Sequence, residues 1–118
     1  DSVQFADPLA AGAAELRRVV APGGAVVLTG WAARDRDDDR VPARLRQDVL
    51  AALVAAGFSD VVEHEEAVWR PAERAMWEAA VAHAEDPADP ALVSMQSEGR
   101  RVLATFDLIR RLRWTARA

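Results

Sequence analysis

Apolar residues recur at helical spacing through much of this chain and at strand spacing near its middle and end. Leu9, Ala13, Leu16 and Val20 form one helical stripe, with Glu15, Arg17 and Arg18 off it. Asp7-Pro8 precedes them, an acidic cap followed by a first-turn proline, so a helix is expected from there to about Ala21. Pro22-Gly23-Gly24 then marks a turn. Residues 25–29, Ala-Val-Val-Leu-Thr, read as a strand apolar on both faces, as a central strand would be. A second helix is predicted over 42–57, with Leu45, Val49, Ala52, Leu53 and Ala56 on one face and Gly57 as its left-handed stop. Residues 59–69 set Val61, Val62, Val68 and Trp69 around an acidic centre and predict a further strand. Helices follow over 71–84 and 90–111, the second with Leu92, Met95, Val102, Leu103, Phe106 and Ile109 on one side. Residues 112–117 alternate Leu112, Trp114 and Ala116 with Arg113, Thr115 and Arg117, the pattern of a half-buried strand.

Helices alternating with strands predict an α/β layered fold. With 118 residues the chain has the length of one domain, and a compact chain of that size buries roughly two-thirds of its unfolded surface. Three strands make a small sheet, and the two-faced strand at 25–29 calls for a neighbour on its other edge.

Composition narrows the function classes. All 15 basic residues are Arg, and 19 acidic residues leave a net charge of −4, which offers no general attraction to nucleic acid. No apolar run approaches the ~20 residues that span a bilayer, so no membrane partner is expected. There is no cysteine, hence no thiolate nucleophile, disulfide or Cys-based metal site, and no signal-peptide layout opens the chain. A cytoplasmic protein is the expectation. Residues 34–40 gather Asp35, Asp37, Asp38 and Asp39 among three arginines. The ligand spacing of a calcium loop is absent and the arginines compete for the carboxylates, so this loop reads as solvated and no metal is assigned to it.

The run Glu15-Leu16-Arg17-Arg18-Val19-Val20-Ala21-Pro22-Gly23-Gly24, continuing into Ala25-Val26-Val27-Leu28, resembles the E-x-x-R-V-L-x-P-G-G helix, turn and strand of class I S-adenosylmethionine-dependent methyltransferases of the small-molecule type. Ala56-Gly57-Phe58 resembles the A-G-F turn before that family's sixth strand, and residues 111–117 resemble its closing seventh strand. The resemblance implies a partial Rossmann-like fold: strands five, six and an antiparallel seven, with flanking helices. Residues 1–118 would be the C-terminal half of the domain, and the helices within 71–111 would be an insertion roofing the acceptor site. It implies methyl transfer from S-adenosylmethionine to a small-molecule acceptor, with this chain supplying the acceptor side and inactive alone. The donor-binding residues of the family would lie upstream, apart from Asp1 and Ser2 at the exit of the fourth strand. The free edge of strand 25–29 would then pair with a missing N-terminal half or with a second copy. The alternatives are a non-catalytic fragment, half of a split assembly, or a fold of this kind used for binding or for a reaction that transfers no methyl group.

Ligands of open α/β folds sit at the carboxyl ends of strands, and the resemblance brings Asp1 to Phe5 and Gly30-Trp31 to that edge. Gln4, Phe5 and Trp31 are therefore candidate substrate-binding residues, an amide for orientation and two aromatic walls. Met76 and His83 join them as pocket-facing positions of the roofing helices. No general base is evident. Gln4 could orient an acceptor, and His83 and His64 are the side chains whose ordinary titration lies near neutral pH.

Overall fold

The structure, a computed structural model, describes residues 2–84 and 86–118. A 3-10 turn at Val3–Phe5 leads into helix α1, Leu9–Val19, and strand β1, Ala25–Ala33. A second 3-10 turn, Ala43–Leu45, precedes α2, Val49–Ala55, and β2, Ser59–Glu65. A third, Ala67–Trp69, runs into α3, Arg70–Ala82; α4 is Pro90–Thr105, and a last 3-10 turn at Phe106–Leu108 delivers β3, Ile109–Arg117.

The three strands form one antiparallel sheet in the order β1-β3-β2. The α/β class and the antiparallel closing strand agree with the sequence reading. β1 pairs with β3 from Ala25↔Arg117 to Ala33↔Ile109, and β2 pairs on the other side with a bulge between Ser59 and Val62. β3 is thus the central strand. Among the described residues β1 stands at the sheet edge with Val27 61% exposed, and its outer side, where the apolar run calls for a neighbour, carries no strand.

Several boundaries differ from the sequence expectation, each for a local reason. β1 runs to Ala33 rather than ending at Thr29, because β3 starts at Ile109 and pairs along all of it; Gly30 and Trp31 lie within the strand. The helix expected over 42–57 is broken, since Asp48 accepts from the Ala51 N–H at 2.9 Å and starts α2 only at Val49. It ends as expected, with Gly57 at φ 88°, a conformation other residues adopt at a penalty. The strand expected over 59–69 stops at Glu65 and turns into a 3-10 segment. The helix expected over 90–111 stops at Thr105, because Ile109 is buried with Ala33 and Val41 and Arg110 and Arg111 enter the sheet. Asp89 caps that helix through the Ala91 and Leu92 N–H groups, with Pro90 in its first turn.

The core lies between one sheet face and helices α1 and α2. Leu112, Trp114 and Ala116 project from β3 onto Ala13, Val49, Leu53 and Phe58. The opposite face carries Arg111, 6% exposed, between the rings of Trp31 and Trp69 at 5.5 and 5.8 Å from their centroids, with Glu73 of α3 at 3.2 Å. α3 and α4 form a hairpin of their own. Gln96, 2% exposed, donates from Nε2 to the carbonyls of His83 and Ala80 at 2.8 and 3.3 Å, and Gly99 lies where a Cβ would stand 3.2 Å from the Trp77 ring. The molecule is elongated, 50 × 28 × 26 Å. Among the described residues no helix is long and apolar enough to cross a membrane.

Candidate functional site

A cleft of about 310 Å³ opens where the end of the sheet meets the helical hairpin. The 3-10 turn before α1 supplies Gln4 and Phe5, β1 supplies Trp31 and β3 supplies Ile109. Pro42, Arg44 and Leu45 come from the segment between β1 and α2. Trp77 of α3 and Glu98, Arg101, Val102 and Thr105 of α4 make the facing wall. The lining is mainly aromatic and aliphatic, with charged groups near one another at the rim, where Arg101 lies 3.8 Å from Glu98.

Each wall is held from behind. Trp31 stands edge-on to Phe106, with centroids 5.5 Å apart at 66°, and the guanidiniums of Arg111 and Arg70 lie 5.5 and 6.0 Å from its ring. Arg70 in turn donates to the carbonyls of Ile109 and Phe106 at 2.6 and 3.0 Å, and burial pulls its pKa below the ordinary arginine value. Gln4 is 7% exposed and packs over Gly30, where a Cβ would come within 2.9 Å of Gln4 Oε1. Only glycine on the strand leaves that amide its place. Phe5 is 64% exposed and forms the lip, with the Arg44 guanidinium 5.4 Å above its ring.

The cleft brings Gln4, Phe5 and Trp31 together and leaves Met76 and His83 out. Met76 is 54% exposed, and the neighbouring Trp77 and Val81 are the residues of α3 that meet α4 at Gly99. His83 terminates α3 as an exposed residue whose carbonyl, not its ring, is engaged by Gln96. His64 is exposed on β2 opposite Arg113. Of the positions assigned to a methyl donor, Asp1 lies outside the described residues, and exposed Ser2 contributes its carbonyl to the Phe5 N–H at 3.0 Å. The helical phase that points Trp77, Arg101, Val102 and Thr105 into the cleft follows from the α3–α4 contact, which sequence spacing does not reveal.

Comparison with known proteins adds a likeness in fold. No family model matches the chain, and no curated protein sequence matches it. The fold is similar to part of the [4+2]-cyclase SpnF. The similarity covers 99% of this chain at a TM-score of 0.68 and 22% identity, and the chain spans 46% of the SpnF chain. A likeness at that identity concerns the fold. It corrects the methyltransferase assignment drawn from the sequence motifs: no family match supports it, and the matched structure is that of a cyclase. A helix, P-G-G turn and strand of this sort reports on a backbone arrangement, in which the turn must reverse tightly, and not on the chemistry performed beside it.

Outside the cleft, the acidic loop is engaged internally. Asp35 Oδ1 accepts from the Asp37 N–H at 2.9 Å, and Arg40 forks onto Asp38 at 2.6 and 2.9 Å, holding that carboxyl below its ordinary range. Among the described residues no group of three His, Asp or Glu is arranged to hold a metal ion.

Proposed function

We propose that the cleft binds a small, mainly apolar molecule and holds it folded for a reaction that transfers no methyl group, with ring-closing [4+2] addition as the class. The observation that carries the reading is the lining itself: Trp31 and Trp77 on facing walls, Phe5 at the lip, and Leu45, Val102 and Ile109 between them. A [4+2] addition joins a conjugated diene to an alkene by two new carbon–carbon bonds, and no atom enters or leaves. What a protein contributes to such a step is approach and alignment of the two ends, which is worth up to ~7–11 kcal/mol in well-oriented systems. Facing aromatic walls in a site of this size restrict an extended chain to folded conformers. The reaction class is the one named for SpnF, whose fold this chain shares in part, and in this reading the helical hairpin roofs the site. In the full-length protein this chain contributes one side of the reaction chamber.

The test uses a linear ester that carries a conjugated diene at one end and an unsaturated ester at the other. Quenching of indole fluorescence reads its binding, and chromatography reads ring closure. Saturable quenching that is lost in the Trp31→Ala/Trp77→Ala double variant, together with cyclised product above the rate in buffer, is the expected result. Binding without product would leave a binding module, and absence of saturable binding would remove the reading.

A further inference from the structure

The cleft does not end at Phe5. A second, more open groove of about 490 Å³ continues from it, and the two share Gln4, Phe5 and Arg44. Arg44 therefore stands at the junction, its guanidinium carbon 5.4 Å from the centroid of the Phe5 ring. The other arginine that lines these cavities, Arg101, lies 3.8 Å from the Glu98 carboxylate. Among the described residues no carboxylate lies within ion-pair distance of Arg44. Gln47, on the same groove, has its side-chain oxygen buried without a hydrogen-bond partner. A half-turn of that amide would present its N–H groups instead.

We propose that the molecule taken by this cleft carries a carboxylate, and that Arg44, with the Gln47 amide beside it, recognises it. The inference rests on the reading of the cleft as an apolar ligand site and adds the ligand's charged end. A guanidinium that makes no ion pair offers its planar N–H fork to a carboxylate's two oxygens, and the Phe5 ring beside it favours a cation at that place. An amide turned to donate satisfies a further lone pair. The ligand would lie with its apolar body between Trp31 and Trp77 and its carboxylate over Phe5 at the groove. Asp7 lines the same groove and weakens an anion there, while at the far rim the charges of Glu98 and Arg101 offset each other.

Decanoate and decanol, which share a chain and differ in charge, separate the two claims when each is titrated against the 118-residue protein with indole quenching as readout. Decanoate should bind about tenfold more tightly than decanol, the scale of one charge-assisted contact. Arg44→Met should abolish that preference, bringing the two affinities together whatever its effect on the apolar cleft, Arg44→Lys should restore part of it, and Asp7→Asn should enlarge it. Circular dichroism confirms that the variants are folded. Equal affinity for the two probes in the wild type, or a preference that survives Arg44→Met, would overturn the carboxylate site and leave the apolar cleft standing. Failure of both probes to bind would overturn the cleft reading and this inference with it.

Discussion

The indole N–H of Trp114 donates to Glu63 Oε2 at 2.8 Å, joining the buried aromatic of β3 to the neighbouring strand. Glu63 Oε1 accepts from Arg110 at 3.0 Å, so one carboxylate satisfies two donors on the central strand. Glu63→Ala should destabilise the protein by about 2 kcal/mol, because it strands a buried N–H and a half-buried guanidinium together. Glu63→Gln, which can still accept from the indole, should lose less. Urea unfolding of the two variants measures the difference.

Gly30 and Gln4 are coupled by contact. A Cβ at residue 30 would lie 2.9 Å from Gln4 Oε1 and 3.3 Å from Trp114 Cζ3. Gly30→Ala should displace the Gln4 amide, at about 1–2 kcal/mol of stability, and weaken decanol binding in the cleft. Unaltered binding in a folded Gly30→Ala variant would show that Gln4 does not shape the wall.

The break before α2 makes Asp48 a residue with two duties, capping the helix at Ala51 and pairing with Arg36. Asp48→Ala should reduce stability by about 1 kcal/mol. Asp48→Asn should retain most of it, since the amide oxygen still caps and the exposed pair contributes little. Thermal unfolding of the two variants distinguishes cap from charge.

Glu73 carries a pH dependence of known sign. Burial pushes its carboxyl above its ordinary value of 4.5, against the smaller downward pull of Arg111 and Arg70. The folded state therefore holds this proton more tightly than the unfolded chain does, and the contribution of Glu73 falls as pH rises through and above 4.5. Denaturant unfolding at a series of pH values should show wild type losing ground to Glu73→Gln over that window. A constant gap between the two would mean that Glu73 titrates as an ordinary carboxylate.

The elements that could be read from the sequence are those with local causes. Asp89-Pro90 caps and opens α4, Gly57 stops α2, and the alternation at Leu112, Trp114 and Ala116 marks the buried face of β3. What could not be read depends on distant partners. Arg110 and Arg111 look like a solvated helix end until Glu63 and Glu73 are placed beside them, and only then does β3 begin at Ile109. β1 lengthens with it. In the cleft, the juxtaposition of Gln4, Phe5 and Trp31 follows from putting two segments at one sheet edge, whereas Trp77 was missed in favour of Met76 by a single step of helical phase. Arg44 carries no signal in the sequence at all, being one arginine among fifteen until the groove is formed.

The sheet order sets a schedule. β1 and β2 touch only β3, which is the last of the three in chain order. Among the described residues both earlier strands find their ladder partner only once the residues from Ile109 to Arg117 are in place, so a product clipped before Ile109 loses every strand pairing described here. The helices α1 and α2 would meanwhile have nothing to cover. The last strand of the chain is thus the one on which the other two are ordered, and trimming at that end removes the sheet's centre and not its edge.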